Sequence, residues 1–151
     1  MSFSRPRVLV VDDDHDCRLL LSTLVAKAGF DVDAVADGDM ALATIQTRPP
    51  DLVLLDAFLP RRDGFQVCSS IKSDPATHHT PVVMLTAFAS PDARSRSMAA
   101  GADEFVEKPF RADVLLELIT QLMRIRDAAH QLDPGEKAVV EGLERKTDGG
   151  P

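Results

Sequence analysis

The sequence predicts an α/β protein built on a parallel sheet that helices cover on both faces. Short apolar runs, typical of fully buried strands, alternate five times with segments whose apolar residues recur at helical spacing. An order of strand, helix, strand along the chain implies right-handed crossover connections between parallel strands. The length of 151 residues, with 44% hydrophobic residues, suits one domain with a substantial core.

The first three elements follow from local patterning. Residues 8–11 (VLVV) are four consecutive apolar residues and predict a buried strand. From Cys17 apolar residues recur at helical spacing, Leu20 among them, and Gly29 supplies the helix stop. Residues 31–36 (DVDAVA) alternate polar and apolar, which is typical of a half-exposed edge strand.

The middle of the chain repeats this order. A second helix opens at residues 37–38 (DG), and the proline pair at 49–50 ends it. Residues 52–55 (LVLL) predict a third strand. An Asp-Gly turn at 63–64 then leads into a third helix at about 65–72.

The last four elements complete the pattern. Residues 82–85 (VVML) predict a fourth strand, and residues 104–106 (EFV) a short fifth strand. Between them, Ser90 and Pro91 suit the N-cap and first position of a helix that ends at Gly101. The last helix has six apolar residues on one face: Val114, Leu115, Leu118, Ile119, Leu122 and Ile125.

The character of the chain changes after this helix, so we place the domain at residues 1–126. Residues 127–151 are mostly polar and end in Gly-Gly-Pro. Asp133 and Glu136 have the spacing of a helix N-cap with its capping-box partner. We expect a short helical extension with a polar tail, or the start of a linker.

Composition narrows the class of protein. A net charge of −7 and a pI near 5.0 disfavour direct binding of nucleic acid. The N-terminal apolar run is too short for a signal peptide, and no segment reaches the length of a membrane span, so we expect no membrane partner. Cys17 and Cys68 lack metal-site spacing and are expected to be reduced thiols on helices of a cytoplasmic protein.

Polar residues follow four of the predicted strands: the acids at 12–14, Asp56, Thr86 and Lys108. Carboxyl ends of parallel strands meet at one edge of the sheet, where ligands of such folds bind. If the first, third, fourth and fifth strands are neighbours, these groups share one crevice. This explains why Asp56 directly follows four apolar residues, where burial alone would penalise its charge.

The chemistry of this set suits phosphoryl transfer. Two or three carboxylates with open space between them can hold Mg²⁺, which keeps water or phosphate oxygens as further ligands. A lysine and a hydroxyl can neutralise charge on a transferring phosphoryl group. A carboxylate such as Asp56 can itself accept the group as an acyl phosphate.

Four motifs, VLVVDDD, LLDAFLPRRDGF, PVVMLTA and GADEFVEKPF, resemble in order and spacing the receiver domain of two-component response regulators, the CheY-like superfamily. The resemblance covers about residues 7–126. It implies a flavodoxin-like, doubly wound (βα)5 fold with a five-stranded parallel sheet in order 2-1-3-4-5. It also implies a regulatory domain rather than an enzyme. Such a domain catalyses only its own phosphorylation and dephosphorylation.

The resemblance assigns the acidic residues. Asp56 would be the phosphoacceptor and a metal ligand, and Asp13 a direct ligand of Mg²⁺ or Mn²⁺. Asp12 would act on the metal through water. The backbone carbonyl of Phe58 would complete the site.

The resemblance also assigns a switch. Thr86 would be the hydroxyl that turns toward the phosphoryl group, and Lys108 its ion-pair partner. The Lys108-Pro109 peptide would be cis. Phe105 would be the switch aromatic, although a plain core residue is the alternative interpretation.

The implied partners are a sensor histidine kinase or a histidine phosphotransfer protein as donor, and a downstream effector protein or domain. Phosphorylation would alter the face formed by the fourth helix, the fifth strand and the fifth helix. A homodimer linked to phosphorylation is a further expectation.

Two other functions fit part of the pattern. A receiver that never sees phosphate could serve as a dimerisation or interaction module. A phosphohydrolase of the haloacid-dehalogenase type needs a second acid two residues after its nucleophile, where this chain has Phe58. Flavin binding is disfavoured because the acids at 12–14 would repel a phosphate.

Two surface features accompany the motifs. Phe58 and Phe88 lie two residues after Asp56 and Thr86, where we expect phenyl rings to exclude water and slow self-dephosphorylation. Arg94 and Arg96 predict a mildly basic face beside the switch residues, for which a solvated surface is the favoured interpretation and a partner-binding patch the alternative.

Overall fold

The fold is a five-stranded parallel sheet with helices on both faces, seen in a computed structural model that describes residues 5–130. The strands are β1 (Arg7–Val11), β2 (Asp31–Val35), β3 (Leu52–Asp56), β4 (Val82–Thr86) and β5 (Glu104–Glu107). The helices are α1 (His15–Lys27), α2 (Gly38–Thr47), α3 (Gly64–Ser73), α4 (Pro91–Ala99) and α5 (Ala112–His130).

The sheet order is β2-β1-β3-β4-β5, which confirms the predicted doubly wound, flavodoxin-like topology. All four strand pairs are parallel. In this order β1, β3, β4 and β5 are consecutive neighbours, so their carboxyl ends line one edge. The strand order therefore meets the condition under which the predicted site residues converge.

The core lies in two layers because side chains alternate across each strand. Leu9 and Val11 point to the side covered by α2, α3 and α4, whereas Val8 and Val10 point to α1 and α5. The strands β3 and β4 are buried along their whole length, as continuous apolar runs predict. The edge strand β2 is only partly buried. Each of its faces contributes to one core layer, so β2 does not have one solvent-exposed face and one buried face.

Capping residues start the helices near the strand ends. Asp14 is the N-cap of α1, Asp37 that of α2 and Ser90 that of α4, where Pro91 takes the first position as predicted. The predicted Asp-Gly turn at 63–64 is instead a helix start. Asp63 and Gln66 form a reciprocal capping box, so satisfied backbone donors set the beginning of α3.

Three apolar residues expected on buried helix faces are exposed: Leu20, Val114 and Ile125. The inner face of α5 is centred on Leu115, Ile119 and Met123, and Val114 and Ile125 fall outside it. The spacing identified the helices correctly but overestimated the width of their buried stripes.

The two cysteines are free thiols on α1 and α3, as predicted. Burial raises the pKa of Cys17 to about 11 and that of Cys68 to about 12. Both thiols are therefore protonated at neutral pH.

The last helix passes the expected domain boundary at residue 126, since α5 continues to His130. The helical extension and polar tail predicted for 127–151 lie almost entirely outside the described residues, and the boundary stays a prediction. Within residues 5–130, no helix combines the length and apolar character that a membrane crossing requires.

Candidate functional site

Three carboxylates converge at the edge formed by the strand ends. One oxygen each of Asp12, Asp13 and Asp56 lies within 4.8 Å of the other two. Asp12 follows β1 and is 1% exposed, whereas Asp56 ends β3 and is 8% exposed. Asp13 is exposed, so the cluster opens toward solvent on one side. The third acid of the run, Asp14, caps α1 instead.

Lys108 bridges the two buried acids. Its Nζ lies 2.6 Å from Oδ2 of Asp12 and 3.0 Å from Oδ2 of Asp56. The backbone N–H of Lys108 donates to the carbonyl of Thr86, which fixes the segment after β5 beside the end of β4. The Lys108-Pro109 peptide bond is cis. Lys108 thus contacts one acid that lies 96 positions away in the chain and another that lies 52 positions away.

The electrostatics of the site follow from burial and pairing. Burial raises the pKa of Asp56, although the Phe58 N–H and Lys108 both act to lower it. For Lys108, burial acts to lower the pKa, but hydrogen bonds to Asp12 and Asp56 outweigh it and the net pKa is raised. Lys108 is therefore a permanent cation between two acids.

The residues present fit a divalent cation. Three carboxylates face one ammonium group, so the cluster carries excess negative charge that a cation would neutralise. Oxygen ligands from few side chains, with one side open for water, are what Mg²⁺ prefers. The donor set thus supports the predicted metal site. The contribution of the Phe58 carbonyl and the water-mediated role of Asp12 stay predictions.

The loop after Asp56 is held by a close backbone approach that sequence patterning did not identify. Gly64, the first residue of α3, donates its N–H to the carbonyl of Ala57. A Cβ added to Gly64 would lie 2.1 Å from the carbonyl oxygen of Asp56. Only glycine fits at this position. The Asp-Gly pair at 63–64 was a signal in the sequence, but it could indicate either a turn or the start of a helix.

The predicted switch threonine lies buried at the end of β4. Its Oγ1 accepts a hydrogen bond of 3.0 Å from the N–H of Phe88. Asp56 makes the same arrangement on the neighbouring strand, since its Oδ1 accepts from the N–H of Phe58 at 3.0 Å. Each loop is thus tied to the polar side chain that precedes it.

The predicted switch aromatic, Phe105, is buried on β5 in the layer beneath α4. The guanidinium of Arg94 lies 4.8 Å from its ring centroid. Arg96 lies 4.0 Å from the ring centroid of Phe65. Both arginines are exposed, in agreement with the expected solvated basic face. Each covers an aromatic ring.

We expect Asp56→Asn to raise the free energy of unfolding by about 1 kcal/mol at pH 7 in metal-free buffer. The raised pKa means that the folded state disfavours the charged carboxylate, so stability is lost as pH rises through that pKa. Asparagine removes this charge, and Lys108 keeps Asp12 as its partner. The difference should shrink as pH falls toward the ordinary carboxyl pKa. Urea unfolding at several pH values measures it, and a less stable variant at pH 7 would contradict the prediction.

Comparison with known proteins gives a consistent result. The family model described as the response regulator receiver domain matches residues 8–120. The DNA-binding dual master transcriptional regulator RpaA of Synechocystis sp. is 36% identical over 126 residues, 83% of this chain and 52% of that protein. Response regulator PleD of Caulobacter vibrioides is 36% identical over 149 residues, 95% of this chain and 33% of that protein. The chain thus spans about half, or less, of these relatives.

A solved structure matches most of the chain. The CheY-like response regulator receiver domain protein of Methanospirillum hungatei superposes with a TM-score of 0.78 at 27% identity. The match covers 83% of this chain and 98% of that chain. The likeness therefore extends over one whole domain of this type.

Proposed function

The chain belongs to the response regulator receiver domain family, and from this premise we propose that it is a phosphorylation-dependent signalling switch whose phosphoryl acceptor is Asp56. One observation carries the proposal. The carboxylate of Asp56 lies at a strand end, paired with Lys108 and within 4.8 Å of oxygens of Asp12 and Asp13. The domain is regulatory, and the only chemistry proposed is its own phosphorylation and dephosphorylation.

The donor would be a phosphohistidine of a sensor kinase or phosphotransfer protein. A carboxylate oxygen of Asp56 forms a bond to phosphorus while the phosphorus–nitrogen bond breaks, and the imidazole, protonated on its other ring nitrogen, leaves as the neutral base. Lys108 supplies a fixed positive charge beside the reacting oxygens. Asp12 and Asp13, with Asp56, would hold Mg²⁺ or Mn²⁺, which when bound neutralises negative charge on the phosphoryl group.

The proposed readout begins at Thr86. Its hydroxyl oxygen now accepts from the N–H of Phe88, and turning toward the phosphoryl group on Asp56 would release that bond. Phe105, covered by Arg94, would then repack within the face formed by α4, β5 and α5. A downstream effector, or a second copy of the chain, would bind the altered face.

Relatives suggest what the output could be. RpaA is named a DNA-binding transcriptional regulator, but the chain spans 52% of that protein. We propose that the described domain acts through a partner protein or a further domain. The absence of direct nucleic-acid binding by this domain stays a prediction.

Incubation with acetyl phosphate and Mg²⁺ should add one phosphoryl group per chain, detected by intact-protein mass spectrometry. The adduct should be absent in Asp56→Asn and in the presence of a chelator, because both the acceptor and charge neutralisation are required. An Asp13→Asn variant, which removes one expected ligand, should shift the Mg²⁺ requirement upward.

The same experiment separates the alternative function. If no adduct forms although Mg²⁺ binds, the chain is a phosphate-independent interaction module. An adduct that persists in Asp56→Asn would assign the acceptor to another residue.

A further inference from the structure

The loop that follows the acceptor, residues 57–63, lies against the first turn of α2. A Cβ added to Gly38, the first residue of α2, would lie 1.8 Å from the carbonyl oxygen of Arg62 and 2.7 Å from its carbonyl carbon. Both atoms belong to the backbone, so no side-chain rotation makes room for a methyl group. Gly38 does not have a positive φ, so glycine is required here for the close approach rather than for its conformation.

Two ion pairs join the same loop to the same helix. Nε of Arg61 lies 3.5 Å from Oδ2 of Asp37, the N-cap of α2. Nε of Arg62 lies 3.1 Å from Oδ1 of Asp39 in the first turn of that helix. Both arginines are exposed, so each pair contributes little to stability by itself. Together they tie two consecutive loop residues to the start of α2.

The backbone of Arg61 has a φ of +70°, the one positive value at a non-glycine residue in the part of the chain that the structure describes. This conformation is unfavourable for a residue with a Cβ and persists only where surrounding contacts hold it. The contacts here are the Gly38 approach, the two ion pairs and a hydrogen bond of 2.8 Å from the N–H of Arg62 to the carbonyl of Pro60. We call five residues the α2 latch: Asp37, Gly38, Asp39, Arg61 and Arg62.

The end of β2, just before the latch, contacts the loop that carries the other acids. The carbonyl of Val35 accepts a hydrogen bond of 3.2 Å from the N–H of Asp12. Only Ala36 separates Val35 from the N-cap Asp37. The segment at residues 35–39 therefore touches both the loop after β1 and the loop after β3. These loops carry the expected metal ligands, so the segment sets their separation.

Resting on the proposed function, we infer that the α2 latch positions the acceptor loop for binding of the divalent cation. The carbonyl of Phe58, the expected backbone ligand, belongs to this loop, so its place relative to Asp12 and Asp13 depends on the latch. The latch residues act through the loop backbone, and none of them is assigned as a ligand. Asp56 itself is the last residue of β3 and is held by strand pairing with β4. Opening the latch should therefore weaken cation binding while leaving the acceptor in place.

Gly38→Ala tests the close approach. Mg²⁺ is titrated into the metal-free full chain and binding is followed by isothermal titration calorimetry. We expect the Kd for Mg²⁺ to rise about tenfold, as is typical when the support of a metal ligand is lost. Phosphorylation by acetyl phosphate should slow at limiting Mg²⁺ and recover at saturating Mg²⁺. Gly29→Ala is the control, because an added Cβ there meets nothing within 4 Å, and it should keep the wild-type Kd.

Two surface variants separate the latch from simple charge effects. Arg62→Gln and Asp39→Asn break the same ion pair but change the net charge in opposite directions. The latch predicts that both raise the Kd for Mg²⁺ about twofold, and that the double variant adds little to either single one. Charge attraction alone would lower the Kd in Arg62→Gln and raise it in Asp39→Asn. Arg62→Lys should keep the wild-type Kd, because its ammonium group can still pair with Asp39.

Two results would overturn the inference and leave the proposed function intact, provided that wild-type Asp56 still forms the phosphoryl adduct. One is an unchanged Kd for Mg²⁺ in Gly38→Ala that circular dichroism shows to be folded. The other is a pair of opposite shifts in Arg62→Gln and Asp39→Asn, which decides alone if Gly38→Ala does not fold. Absence of both Mg²⁺ binding and adduct in wild type would instead overturn the proposed function, and the role of the latch with it.

Discussion

Replacing Lys108 with methionine should lower the free energy of unfolding by about 3 kcal/mol at pH 7 in metal-free buffer. Methionine keeps much of the aliphatic stem but removes the ammonium group that lies 2.6 Å from Asp12 and 3.0 Å from Asp56. Two buried carboxylates would then face each other without their cation. Breaking such a pair from one side is costly because the remaining charges stay desolvated.

The stability deficit of Lys108→Met should depend on pH through the pKa of Asp56. Lys108 is one of the causes that lower the pKa of Asp56, so its loss should raise that pKa further. Lowering the pH toward this value neutralises Asp56, and the deficit of Lys108→Met should shrink between pH 7 and pH 5. Adding Asp56→Asn to Lys108→Met should recover part of the lost stability, because one unpaired charge is gone.

Urea unfolding of wild type and variants at both pH values measures these differences. Lys72→Met is the matched control, since Lys72 pairs with Asp103 at 2.8 Å in a more exposed setting outside the acid cluster. Its effect should be smaller and nearly independent of pH. If Lys108→Met were as stable as wild type at pH 7, burial of the Asp12 and Asp56 carboxylates would not require the ammonium group of Lys108.

Replacing Gly64 with alanine should cost about 3 kcal/mol of stability. The new Cβ would lie 2.1 Å from the Asp56 carbonyl oxygen and 2.8 Å from Cα of Ala57, and both atoms belong to backbone. The backbone of the acceptor loop must therefore move. A shift of about 1 Å at Asp56 should slow phosphorylation by acetyl phosphate about 100-fold.

Thermal or urea unfolding and the rate of adduct formation test both parts of this prediction. Gly29→Ala is the control, since Gly29 has a φ of +99° but nothing within 4 Å of an added Cβ. That variant should lose about 1 kcal/mol through backbone strain alone and keep its phosphorylation rate. Normal stability and a normal rate in Gly64→Ala would mean that the loop accommodates the methyl group.

Local signals in the sequence located nearly every element. Apolar runs identified β1, β3 and β4, and Ser90-Pro91 marked the first turn of α4. These predictions succeeded because burial on both faces and capping chemistry act within a few residues. The exposure of Leu20 and Ile125 was missed since the width of a buried stripe depends on what packs against the helix.

The candidate site was predictable to the level of residue type and strand end. Acids after β1 and β3, and Lys108 after β5, could be brought together by topology alone. Patterning could not separate Asp12, which pairs with Lys108, from Asp14, which caps α1. That division depends on where the chain turns after β1.

The sequence by itself determined the (βα)5 order and the acids, hydroxyl and lysine at the strand ends, because these depend on local periodicity and on the few topologies that parallel crossovers permit. Only the tertiary structure decided that Arg96 covers Phe65, that Phe58 meets Phe88, and that Gly64 lies against the Asp56 backbone. Such contacts join loops and helices far apart in the chain. Their geometry is set by how the elements pack, which no local pattern encodes.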